Sequence, residues 1–205
     1  MKISVSILKE KDNIENVINK LNNTDCDYIH LDIMDNTFTK TSSFELSSFK
    51  GINTNKKYDI HIMSTNLDYQ ISEAIKLKPE FITIHYESSK DIKRYLKTIK
   101  ENDIKAGLAI NPSTSLDEIK DLLNEIDLLL VMSVEPGKGG QDFIMSTIKK
   151  LKNLNDTNHK FIISVDGGIN NNTIKYINKY VDMVVSGSYI TKSLDFQKNT
   201  DILRM

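Results

Sequence analysis

Eight short runs rich in β-branched and other apolar residues recur along the chain, and no two are joined by a hairpin turn signal: residues 2–8, 28–32, 58–63, 81–85, 105–110, 128–133, 161–165 and 183–186. Between them lie segments with helical spacing. Ile14, Val17, Ile18 and Leu21 form one apolar stripe, and Ile92, Tyr95, Leu96 and Ile99 form another. Leu116, Ile119, Leu122 and Leu123 make a third, which Ser115 and Glu118 can open as a capping box, and Ile148, Leu151 and Leu154 lie in a fourth. Strands alternating with helices imply a parallel α/β sheet. Such a sheet stays open or closes. An open dinucleotide-binding sheet carries a glycine-rich turn after its first strand, whereas Ser6-Ile-Leu-Lys-Glu-Lys11 has no glycine. The glycines fall late, after runs six, seven and eight, where (β/α)₈ barrels often hold phosphate. The expectation is therefore a (β/α)₈ barrel.

The 205 residues suit one domain spanning 1–205, near the lower length limit for that fold, with short loops. A formal net charge of -1 lacks the basic excess of a polyanion binder, so no nucleic-acid partner is expected. Cys26 has no second cysteine to pair with and reads as a small packed residue before the second strand. No N-terminal signal pattern is visible, and no apolar run approaches the ~20 residues that span a bilayer. A cytoplasmic protein without a membrane partner is expected.

Within Tyr28-Ile-His-Leu-Asp-Ile-Met-Asp35, strand alternation puts Tyr28, His30, Asp32 and Met34 on one face and Ile29, Leu31 and Ile33 on the other. The other strand ends supply Ser6, His61, His85, Ser133 and Asp166. In a closed barrel these ends meet at one mouth. His30, Asp32, His61 and Asp166 then offer two imidazoles and two carboxylates, a donor set for zinc or iron(II), with manganese or cobalt as alternatives. The competing reading is that each polar residue caps its own strand. Two carboxylates beside a cation also suit proton transfer at carbon, because a Lewis acid stabilises the enediolate that forms.

Glu135-Pro-Gly-Lys-Gly-Gly140, Asp166-Gly-Gly168 and Ser186-Gly-Ser188 follow three successive strands. Glycines let backbone N–H groups approach an anion, so Gly137, Gly139, Gly140, Gly167, Gly168, Gly187 and Ser188 form a candidate phosphate cradle. Lys138 either adds a charge there or points to solvent. Met34, Met63 and Met132 stand at or past strand ends, as core filler or as a water-excluding wall.

Together these segments resemble the ribulose-phosphate 3-epimerase family. The matching motifs are Ser4-Val-Ser-Ile-Leu8, Ile29-His-Leu-Asp-Ile-Met-Asp35 with Phe38, Asp59-Ile-His-Ile-Met63 and Ile82-Thr-Ile-His85. They continue with Ala106-Gly107, Asn111-Pro112, Met132-Ser-Val-Glu-Pro-Gly137, Gly139-Gly-Gln141, Phe143, Val165-Asp-Gly-Gly-Ile-Asn170 and Gly187-Ser188. The resemblance implies interconversion of D-ribulose 5-phosphate and D-xylulose 5-phosphate by inversion at C3, a step of the pentose phosphate pathway. It implies a divalent metal on His30, Asp32, His61 and Asp166, with Asp32 as proton acceptor and Asp166 as donor. Ser6, His61 and Asp166 would touch the substrate, and Gly137 to Gly140, Gly167, Gly168, Gly187 and Ser188 its phosphate end. Related epimerases act on hexulose phosphates such as D-allulose 6-phosphate, which stands as the alternative. A more remote one is a non-catalytic sugar-phosphate-binding barrel, although decay should first cost the metal set. An aldolase-like barrel needs a strand-end lysine, whereas Lys2, Lys57, Lys105 and Lys160 stand at strand starts. Members of the family are often homo-oligomers, but the sequence carries no interface signature. The chain departs from the family pattern at Val5, Lys9-Glu-Lys11, Asn36 and Lys138.

Overall fold

A computed structural model describes residues 1–204. Eight parallel strands run in chain order: β1 (Lys2–Ser6), β2 (Tyr28–Met34), β3 (Lys57–Met63), β4 (Phe81–His85), β5 (Lys105–Ile110), β6 (Leu128–Met132), β7 (Ile162–Asp166) and β8 (Met183–Ser186). Each pairs with the next, and β8 returns to β1, closing the barrel. The helices are α1 (Ile14–Asn22), α2 (Leu67–Ile75), α3 (Ile92–Lys100), α4 (Leu116–Ile119), α5 (Thr147–Asn155), α6 (Ile174–Ile177), α7 (Ser188–Thr191) and α8 (Phe196–Arg204). Among the described residues, no helix is long and apolar enough to cross a membrane.

The pleat sorts side chains as β2 predicts. Ile29, Leu31 and Ile33 are buried against the surrounding helices, each stabilising the fold by roughly 1.5–3 kcal/mol relative to exposure. The alternate set points inward. Toward the strands' N-terminal ends Tyr28, Phe81, Leu128 and Met183 fill the interior, and Tyr28 meets Phe81 edge to face at 5.5 Å. Lys57 and Lys105 at these strand starts both bind Glu80, remote from the mouth. Higher up, the inward face turns polar, with Ser4, His30, Asp59, His61 and Thr83 all buried. Gly107 belongs to this layer because a Cβ there would overlap the Thr83 hydroxyl.

Strand register delivers the mouth. Ser6 pairs with His30, Asp32 with His61, and Met132 with Asp166. The capping box forms as expected, with the Ser115 N–H donating to Glu118 Oε1 at 2.8 Å. Six strand limits differ from the sequence expectation by one or two residues, those of β1, β2, β3, β6 and both ends of β7. β1 stops at Ser6, where the Glu10 N–H closes a turn onto the Ile7 carbonyl, and β7 extends through Asp166 because that residue still pairs with Val185. Cys26 is a buried thiol, raised above its ordinary value by burial.

Candidate active site

His30, Asp32, His61 and Asp166 each present one donor atom to a common point, all four atoms lying within 4.8 Å of one another. His30 Nε2 is 3.4 Å from Asp32 Oδ1 and 3.9 Å from Asp166 Oδ2. His61 Nδ1 repeats the same two distances. Both nitrogens are buried and, among the described residues, make no hydrogen bond. Strand capping would have given each a partner, since a buried orphan costs ~1–3 kcal/mol. Two bare nitrogens facing two carboxylate oxygens fit a divalent cation of borderline softness.

The remaining polar atoms of His30, Asp32 and His61 are tied down. His30 Nδ1 lies 2.8 Å from Asp59 Oδ2, which also accepts from Ser4 Oγ at 2.8 Å. Ser6 Oγ donates to Asp32 Oδ2 at 2.6 Å. His61 Nε2 lies 2.9 Å from His85 Nε2, and His85 Nδ1 lies 3.1 Å from Glu87 Oε2. The Phe38 ring covers His85 at 4.7 Å.

The two carboxyls are driven apart. Burial works to raise Asp32, but His30 and His61 outweigh it and hold the group well below the usual carboxylate range. Burial and the neighbouring Asp32 charge push Asp166 up to about 7. Burial lowers His61, and it brings His85 down to about 4. Burial also works to lower His30, but Asp59 and Asp32 raise it well above an ordinary histidine.

Above the cluster opens a cavity of about 360 Å³. Asp32 and Asp166 reach it beside Ser6, while His30 and His61 lie fully buried beneath. All the expected cradle residues line it, from Gly137 through Gly140, then Gly167, Gly168, Gly187 and Ser188. Gly168 holds φ +64°, and a Cβ there would come within 2.5 Å of the Phe143 backbone nitrogen, so this turn excludes larger residues. The loop after β2 buttresses the loop after β6, with Thr41 Oγ1 donating to the Gly137 carbonyl at 2.6 Å.

Met63 and Met132 line the cavity. Met34 does not, because its sulfur packs under the β2 loop, 3.4 Å from Thr41 Oγ1. Ser133, grouped with the strand-end residues, instead turns its hydroxyl to the Asp166 and Gly167 carbonyls, 2.8 and 2.7 Å away, which share its one proton, and shapes the β7 turn. Lys9, which the sequence marked only as a departure from the family pattern, also lines the cavity. Its side chain lies across Gly139 and Gly140, its Cε 3.2 Å from where a Gly139 Cβ would stand.

A family model described as "Ribulose-phosphate 3 epimerase family" matches residues 2–191. The ribulose-phosphate 3-epimerase of Escherichia coli K12 is 34% identical over 186 residues, covering 87% of this chain and 83% of that protein. The enzyme of the same name from Buchnera aphidicola of Acyrthosiphon pisum is 39% identical over 159 residues, covering 74% and 70%. Among solved structures, 3-hexulose-6-phosphate synthase from Salmonella typhimurium superposes with a TM-score of 0.69 at 19% identity, covering 100% of this chain and 97% of that one. That last likeness concerns the fold alone.

Proposed function

The chain belongs to the ribulose-phosphate 3-epimerase family, and we propose that its substrate pair is D-ribulose 5-phosphate and D-xylulose 5-phosphate, with Asp32 and Asp166 as the proton-transfer residues. The observation that carries the assignment of residues is the pair of orphaned imidazole nitrogens converging with two carboxylate oxygens at the floor of a cavity with a glycine-lined rim. His30, Asp32, His61 and Asp166 would hold a divalent ion, zinc or iron(II) by their two-nitrogen, two-oxygen donor set. Bound there, such an ion supplies Lewis acidity toward the substrate's oxygens.

The protein's own residues do the rest. Asp32, ionised and fixed by the Ser6 hydroxyl, takes the C3 proton from one side of the sugar. Asp166 returns a proton to C3 from the other side, and in the reverse direction the two exchange roles. Met63 and Met132 present apolar surface beside the carboxyls and keep water from the reacting carbon. The phosphate end lies along Gly168, Gly187 and Ser188, opposite the Gly137–Gly140 turn. Lys9 and Lys138 face the same rim as positive charges.

The test is epimerisation of D-ribulose 5-phosphate in D₂O, with added Zn²⁺ or Fe²⁺ and after chelation. Product with one deuterium at C3, formed only with metal, is expected. Rapid epimerisation with the original C3 hydrogen retained would refute two-carboxyl inversion, and full activity after exhaustive chelation would refute the metal assignment.

A further inference from the structure

The geometry points to Glu87 as a positioning residue: acting through His85, it selects the tautomer of His61 that presents a bare Nδ1 to the four-residue cluster. The inference rests on the reading of that cluster as a metal site.

A neutral imidazole carries one N–H. If the His61 proton sits on Nδ1, it points at the Asp32 and Asp166 oxygens and blocks a cation. If it sits on Nε2, the lone pair on Nδ1 is free to bind one. The contact between His61 Nε2 and His85 Nε2, at 2.9 Å, admits a single proton, so one ring must donate and the other accept. Nothing in the His61–His85 pair itself decides which.

Glu87 decides. An ionised carboxylate only accepts, so His85 Nδ1, 3.1 Å from Glu87 Oε2, must be the protonated nitrogen of its ring. His85 Nε2 is then a lone pair and must accept from His61 Nε2–H. His61 Nδ1 is left bare. The chain of bonds from Glu87 to the cluster therefore has one consistent direction.

The carboxylate is itself anchored on the side away from His85. Its Oε1 accepts from the Asn111 N–H at 2.9 Å and from the Thr114 hydroxyl. That loop is clamped from α5, where Lys150 Nζ donates to the carbonyls of Asn111, Pro112 and Thr114 at 3.2, 3.0 and 2.5 Å. His30 needs no such relay, because its Nδ1 meets the Asp59 carboxylate directly. Each metal-facing histidine is thus oriented by a carboxylate, one at first hand and one through a second imidazole.

Glu87→Gln tests the relay almost isosterically. The glutamine carbonyl keeps the Asn111 and Thr114 donors and turns its NH₂ toward His85 Nδ1, which must now accept. Both bonds reverse, and the His61 proton moves to Nδ1. Two-bond ¹H–¹⁵N spectra of the chelated wild-type protein are expected to show His61 protonated at Nε2 and His85 at Nδ1. In the variant both assignments should invert while the melting temperature stays close to wild type. Co²⁺ affinity, measured by chelator competition, should fall about 10–100-fold, with turnover recovering at saturating Co²⁺. A wild-type His61 protonated at Nδ1 overturns the inference even if the variant fails to fold, and so does a folded variant that binds Co²⁺ as tightly as wild type. A wild-type protein that binds no divalent ion would overturn the metal reading, whereas the tautomer spectra judge the relay separately.

Discussion

Replacing Asp166 with asparagine separates two consequences of one carboxyl. In the chelated protein, burial and the Asp32 charge raise Asp166 from 3.8 to about 7. The unfolded chain therefore releases this proton before the folded one does, and folding stability falls as pH rises from about 4 to about 7. At about 1.4 kcal/mol per pH unit, the penalty grows across that range to a few kcal/mol and levels off above pH 7. Asparagine has the same shape and no charge, so it escapes the penalty. Urea denaturation of both proteins with chelator present should find Asp166→Asn the more stable at pH 8, its advantage exceeding that at pH 5 by a few kcal/mol. With Zn²⁺ in excess that advantage should shrink. Wild type gains about 2.7 kcal/mol at 100 times its dissociation constant, and the variant, short of one anionic ligand, gains less. Turnover of the loaded variant should drop ~10²–10⁴-fold. A chelated variant no more stable than wild type at pH 8, or an advantage independent of pH, would refute the argument that a buried carboxyl is held here against its ordinary ionisation.

The rim and the core make further predictions. Gly168→Ala places a side chain at φ +64°, which costs about 1–2 kcal/mol before the overlap with Phe143 is added. Its melting temperature should fall and its KM rise, and an unchanged KM would remove this turn from the phosphate site. Lys9→Ala should raise KM about 3–10-fold at low salt while leaving kcat within about twofold, with the difference shrinking as salt screens the charge. A lysine serving only as a solvated surface residue would leave KM unmoved at any ionic strength. Cys26, 2% exposed and with its thiol raised by burial, should resist a disulfide reagent until the protein unfolds. Native-state labelling at the rate of a free thiol would contradict its placement.

The barrel and its four converging residues were legible because both follow from strand alternation and register. Alternation along β2 fixes which face carries His30 and Asp32, and closure brings His61 and Asp166 to them through strand register. Less legible were α2 and α8, where polar residues such as Gln70 and Thr200 are themselves buried and interrupt the apolar stripe. Lys9 was invisible as a site residue because nothing local distinguishes it from other exposed lysines. Its position over Gly139 and Gly140 arises from the β1 turn meeting the β6 loop across the closed barrel. Met34 misled in the opposite way. It shares a strand face with Asp32, but the long segment after β2 folds back over it through the Asp35–Ser42 bridge and takes it out of the cavity.

Glu87 marks the deeper reason that sequence stops short. A strand-end histidine followed two residues later by a glutamate is an ordinary polar pair, and only the fold gives the pair a direction. His85 touches His61 on one side and Glu87 on the other, so a proton's location at the cluster depends on a carboxylate two rings away. The cluster is costly as it stands, with two buried nitrogens unpaired and one carboxyl forced toward protonation. A polar layer serving only to hold the barrel together would pair these atoms with each other, as Ser4, His30 and Asp59 pair immediately below. Instead the anchors fix His30 Nδ1, Asp32 Oδ2 and His61 Nε2 and leave free the atoms that converge. A single cation relieves all of these costs at once, so metal binding and folding stability should be thermodynamically linked in this protein.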